Sequence, residues 1–174
     1  MKKNIFITAL ACMLMSAGAY AQQITFGIIR NCTSYTRSMT TDELNKKHFT
    51  LIDRNYQKAQ NPLLQGSTYY SNETDRTPGL GEVAILSQMN GSKIITEFLF
   101  ISGTKNNSSP NFDDVYKQMV NFFKDERTFK SPTYNTDVNY FVRDKVYYYV
   151  YKLKDTPVIV VSTYKLEEDY FGKK

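Results

Sequence analysis

One dipeptide limits the fold of this chain more than any other feature. Asn90-Gly91 stands between two apolar, β-rich stretches at 82–89 and 93–101. Asn-Gly supplies the two positive φ angles of a type I′ turn, so the flanking stretches are predicted to form a β-hairpin. The last third of the chain extends the pattern. Strands are predicted at 137–142, 145–153 and 158–164, where β-branched and aromatic residues are dense, with turns at Arg143-Asp144 and at Lys154-Asp155-Thr156-Pro157. A further short strand is predicted around 67–71, within a Pro- and Gly-containing stretch at 53–81 that is otherwise hard to read.

Two segments carry helical periodicity instead. Phe112, Val115, Tyr116, Met119, Val120 and Phe123 follow the i, i+3, i+4, i+7 spacing of one buried face, which predicts a helix over 111–125. Pro110 suits its first turn, and Asp113 and Asp114 complement the positive end of the helix dipole. A shorter helix is predicted over 41–48, opened by a capping box from Thr40 to Glu43, with His48 on its core side.

A shift of 71 residues lays 24–49 over 95–120 and matches Ile24-Thr25 with Ile95-Thr96 and Asp42-Glu43-Leu44 with Asp113-Asp114-Val115. Both copies read as strand, loop, capped helix, which suggests a tandem duplication of a β-α-β-β unit with halves 22–93 and 94–174. The predicted fold class is α+β: a mostly antiparallel sheet of about seven strands with two helices on one face.

The N-terminus has the three zones of a secretory signal peptide: Lys2 and Lys3, an apolar run, and Ala19-Tyr20-Ala21 as an A-x-A cleavage site. The expectation is a signal peptide at 1–21 and a single domain at 22–174, with a periplasmic or secreted mature protein starting at Gln22. An uncleaved anchor, or lipidation at Cys12, is the weaker alternative. No membrane span is expected after cleavage. The composition and leader suit a small exported bacterial protein.

Removing the leader takes two of 22 basic residues and none of the 17 acidic ones, leaving an excess of three. Charges of both signs are interspersed, as in Arg143-Asp144-Lys145, so no basic stripe for nucleic acid is present. Cys32 has no second cysteine in the mature chain. It is expected to be a buried thiol, against the alternatives of an interchain disulfide or a reactive group.

Catalytic constellations are hard to assemble. Cys32 with the single His48 is the one nucleophile and base pair conceivable, and no known signature surrounds it. One His and one Cys are too few soft ligands for zinc, and neither a P-loop nor a G-x-S-x-G elbow occurs, so no cofactor or metal is expected. Asp42-Glu43 and Asp113-Asp114 are explained by helix starts, and the alternative, a hydrolase, requires the fold to gather two of Asp53, Asp75, Asp113, Asp114 and Asp137 in a cleft.

Eight of the 14 tyrosines fall between Tyr134 and Tyr170, and Tyr147, Tyr149 and Tyr151 share one face of a single strand. The valines on the other face are expected to meet the helices, leaving the tyrosines on an open sheet face as a candidate binding site. The leading expectation is therefore a non-enzymatic exported binding protein that recognises another envelope or secreted protein through this tyrosine-rich face or the 53–81 loop. The alternatives are a carboxylate-dependent hydrolase acting on an envelope polymer, and a structural envelope component.

Overall fold

The computed structural model describes residues 23–73, 81–87, 93–101 and 110–173. The signal peptide, the Asn90-Gly91 turn and Asp75 lie outside the described residues. Twelve elements follow one another: α1 (Phe26–Asn31), α2 (Arg37–Lys46), β1 (Thr50–Tyr56), a 3-10 turn (Pro62–Leu64), β2 (Ser67–Ser71), β3 (Gly81–Leu86), β4 (Ile95–Ile101), α3 (Pro110–Phe123), β5 (Arg127–Ser131), β6 (Thr136–Arg143), β7 (Val146–Leu153) and β8 (Thr156–Ser162). The chain is α+β, with one antiparallel sheet of eight strands in the order β1-β2-β3-β4-β8-β7-β6-β5. The expected hairpin is β3 against β4, in register from Gly81–Ile101 to Leu86–Thr96. Two consecutive meanders, β1 to β4 and β5 to β8, join where β4 pairs with β8.

Several sequence-based expectations need correction. The sheet has eight strands and the described chain has three helices, against seven and two. Residues 26–31 are helical, because Thr25 caps the segment by accepting from Ile28 N at 3.3 Å, and Ile28 and Ile29 turn inward. A strand in the first copy of a β-α-β-β unit is therefore not present. Each meander is instead preceded by a helix, α2 for the first and α3 for the second. Helix α2 starts four residues earlier than expected, since Thr36 and not Thr40 is the cap; Thr40 is buried on the inner face. The helix ends before His48, which takes a left-handed φ of 59° and is exposed, so that Phe49 can turn into the core.

Strands β1 and β5 escaped sequence reading because both are edges. Their outward positions carry Asp53, Arg54 and Asn55, or Arg127, Thr128 and Lys130, and alternation is lost. Strand β1 is also irregular, with register shifts between Leu51 and Asp53 and between Asp53 and Tyr56.

Both faces of the sheet are covered. On one face the three helices pack against Ala84, Phe98, Phe100, Phe141, Tyr148, Val150, Ile159 and Val161. Phe26 meets Phe122 and Phe123 edge-on at 5.4 and 5.9 Å, and Phe123 lies 4.5 Å from Tyr148. On the other face the C-terminal segment 163–173 folds back, and Leu166, Tyr170 and Phe171 pack on Val138, Tyr149, Tyr151, Val158 and Val160. Ala59 and Leu64 close the same face further along. The C-terminal segment is held by its backbone as well: Phe171 O accepts from Ser131 Oγ at 2.9 Å and from Thr133 N at 3.3 Å. It closes at Gly172, with φ of 70°, where a Cβ would sit 2.6 Å from Thr133 Oγ1.

Phe171 is the keystone of this second layer, fully buried with ring centroids 5.0 Å from Tyr149, 5.4 Å from Tyr151 and 5.5 Å from Phe129. Phe171→Ala is expected to cost about 3–5 kcal/mol and to lower the melting temperature by about 10 °C. Thermal and urea unfolding measure this directly; a loss below about 1 kcal/mol would mean that the C-terminal segment does not anchor the sheet.

Candidate functional site

The tyrosine row is part of the core. The valines of β7 do meet the helices, since Val146, Tyr148 and Val150 belong to the helix-side cluster. The opposite row does not face solvent: Tyr149 is 0% and Tyr151 3% exposed under the C-terminal segment, and Tyr147 is half-buried. Tyr149 stacks between Tyr147 at 6.2 Å and Tyr140 at 5.7 Å and accepts from Leu166 N through its hydroxyl at 3.0 Å. Tyr147, Tyr149 and Tyr151 therefore do not form the open recognition surface expected of them. The signal that would have revealed this is the unbroken apolar run Val158-Ile159-Val160-Val161, all fully buried, because a strand apolar on both sides needs a cover on both sides.

Beneath that cover lies a polar network that sequence reading missed. Glu97 on β4 is only 7% exposed, and its carboxylate accepts from the Tyr170 hydroxyl. The Tyr170 hydroxyl is 3.3 Å from that of Tyr151, while Asn61 donates to Tyr134 Oη at 2.9 Å and to Tyr170 O at 3.3 Å. Phenols share this carboxylate, and among the described residues no cation pairs with it. Burial pushes its pKa up from 4.5 to about 7, with the Tyr170 and Tyr151 hydrogen bonds pulling the other way. On the opposite face Glu82 is similarly enclosed. It accepts from Ile24 N and from Asn111 Nδ2, and Asn111 also donates to Ile24 O at 2.9 Å, so one carboxylate ties the start of the described chain to β3 and α3. Burial raises Glu82 from 4.5 to about 7 as well, opposed by the Ile24 and Asn111 hydrogen bonds.

The other sequence candidates do not converge. Cys32 is buried, donates to Ile29 O at 3.2 Å, and its thiol is pushed up to about 12 by burial, which removes the nucleophilic thiolate at neutral pH. His48 is exposed outside the end of α2. Asp53, Asp113, Asp114 and Asp137 are exposed on β1, α3 and β6. Among the described residues no group of three or more His, Cys, Asp or Glu side chains could hold a metal ion.

A concavity lies elsewhere, between α2 and the β1–β2 end of the sheet. It encloses about 790 Å3, inside the roughly 300–1,000 Å3 range of ligand clefts, and is lined by Arg37, Ser38, Thr41, Asp42, Asn45, Leu51, Arg54, Thr68 and Tyr70. Its floor is Thr68 and Tyr70, both buried. Arg37 reaches across it, donating to Ser87 O at 3.3 Å and to Thr68 Oγ1, and Thr41 Oγ1 lies 3.2 Å from Tyr70 Oη. A smaller concavity of about 320 Å3 lies by α1 and the β6–β7 turn, where Arg30 and Arg143 flank the Phe122 ring at 5.5 and 4.3 Å. There Arg143 already faces Asp144 at 3.6 Å, whereas neither Arg37 nor Arg54 pairs with a carboxylate among the described residues.

No protein-family model matches the chain, and no curated protein or solved structure is similar to it. The cleft between α2 and β1–β2 thus stands on its own geometry. Its two guanidinium groups, hydroxyls and amide are suited to holding a polar ligand by hydrogen bonds. Its single carboxylate, Asp42, is exposed.

Glu82 and Glu97 give a pH signature. Each keeps its proton in the folded state where the unfolded chain has lost it. Their stabilising contribution is therefore complete below about pH 4.5 and is lost as pH rises through about 7. The loss is on the order of 3 kcal/mol for each group. Glu97→Gln keeps an acceptor for Tyr170 and removes the titration. The variant is expected to melt above the wild type at pH 8 and to converge with it at pH 5, and parallel melting curves for the two proteins across that range would count against it.

Proposed function

We propose that this is an exported, non-enzymatic binding protein that recognises another envelope or secreted protein through the cleft between α2 and β1–β2. The observation that carries the reading is the cleft itself, a concavity of about 790 Å3 walled mainly by hydrogen-bonding side chains with a buried, ordered floor. Three of its residues, Arg54, Thr68 and Tyr70, come from the 53–81 stretch whose composition marked it as a candidate recognition segment. Hydrolysis of a polymer with two carboxylates would need a second acid opposite Asp42, and the lining offers none. Export rests on the leader pattern of residues 1–21. An origin of the two halves by duplication belongs to the same proposal and rests on their shared order of helix followed by meander.

Two measurements test it. Mass spectrometry of the exported protein should give a chain starting at Gln22, and recovery of the full precursor from the envelope fraction would contradict export. In an affinity capture from the envelope of the producing cell, the wild type should retain a partner that Ser38→Trp loses. Ser38 is exposed at the cleft rim, so the indole fills the cleft without disturbing the core. Unimpaired capture by a Ser38→Trp variant with wild-type melting behaviour would remove the cleft from the interface.

A further inference from the structure

We infer that the cleft between α2 and β1–β2 takes an extended peptide segment of the partner and clasps an acidic side chain of it between Arg37 and Arg54. The inference rests on the binding reading above and adds the chemistry of the ligand. Arg37 is half-buried, and the bonds to Ser87 O and Thr68 Oγ1 hold its guanidinium in place, which leaves further N–H donors of the fork free to face the cleft. Arg54 enters the same space from the edge strand β1. Neither has a carboxylate partner among the described residues, although the chain elsewhere pairs Lys46 with Glu43 and Lys173 with Glu167. A half-buried cation without a counter-charge gains most from an anion supplied by a ligand, and a fixed guanidinium is pre-organised for a bidentate carboxylate.

The remaining lining argues for a peptide around that carboxylate. Ser38, Thr41, Asn45 and Tyr70 offer both donors and acceptors, as main-chain amides require, and Leu51 supplies one apolar contact. Asp42 stands on the α2 wall of the same cleft. It disfavours a uniformly acidic ligand and leaves room for a single acid flanked by neutral or basic residues.

The test is selection of a phage-displayed hexapeptide library on the full mature protein, followed by fluorescence polarisation with the best peptide and its Asn or Gln counterpart. Enrichment of one Asp or Glu per peptide is expected, with at least about tenfold weaker binding for the amide counterpart and for Arg54→Gln. Arg54 is exposed and its side chain has no hydrogen bond to other described residues, so that variant should melt like the wild type; Arg37→Gln is the companion variant, read only with its melting curve. Selection of neutral peptides, or binding indifferent to Arg54→Gln, overturns the inference. If Ser38→Trp abolishes partner capture while the selected peptides are neutral, the cleft remains the binding site and the acidic clasp alone is wrong.

Discussion

The pairing of β4 with β8 at the centre of the sheet is the contact on which everything else depends. It joins two four-stranded meanders into one antiparallel surface, from Ile95 opposite Ser162 to Leu99 opposite Val158. Both strands are apolar or enclosed on two sides, with Phe98, Phe100, Ile159 and Val161 toward the helices and Ile95, Val158 and Val160 away from them. A sheet with such a centre is stable only when each face has a cover. Three helices supply one cover. The C-terminal segment and residues around Ala59 and Leu64 supply the other, and the tyrosines of β7 become the filling between that cover and the sheet.

Each cover is pinned by a buried carboxylate on the central strands. Glu82 reaches the helix side, where Ile24 N and Asn111 meet it, and Glu97 reaches the opposite side, where Tyr170 does. Among the described residues neither glutamate has an ion-pair partner, and the enclosure favours the protonated form of both. The same burial that makes these groups costly to ionise gives the two outer layers a fixed position on the sheet. Glu167 in the C-terminal segment is the contrasting case, since Lys173 at 2.9 Å and Lys165 at 3.4 Å supply it with positive charge.

The cleft proposed for recognition falls where the sheet is irregular. Strand β1 is an edge with two register shifts, and α2 stands away from it far enough to leave the polar cleft. Edges and bulges are where a sheet can present side chains in directions that a regular strand does not. The floor of the cleft remains ordered because Thr68 and Tyr70 lie on β2, one strand inside the edge, and are buried. A rigid floor with polar walls is the arrangement that keeps donors in place before a ligand arrives.

The sequence by itself determined the elements whose signals are local. Helix α3 shows its amphipathic spacing, the β3–β4 hairpin its Asn-Gly, and β6, β7 and β8 their β-branched and aromatic runs. It also divided β7 correctly, with Val146 and Val150 toward the helices. Only the tertiary structure decided what lies over the other side. Alternation states that Tyr147, Tyr149 and Tyr151 share a face, but it is silent on whether a segment some 20 residues later returns to cover them, and Leu166, Tyr170 and Phe171 do so without a periodic pattern. The edge strands β1 and β5, the capped turn α1 and the cleft were hidden for a related reason. Their exposed positions carry ordinary polar residues, and the pairing of Arg37 with Thr68 and Ser87 joins parts of the chain that sequence spacing leaves far apart. Burial of Glu82 and Glu97 is likewise a property of what packs around a strand, which no single residue in that strand encodes.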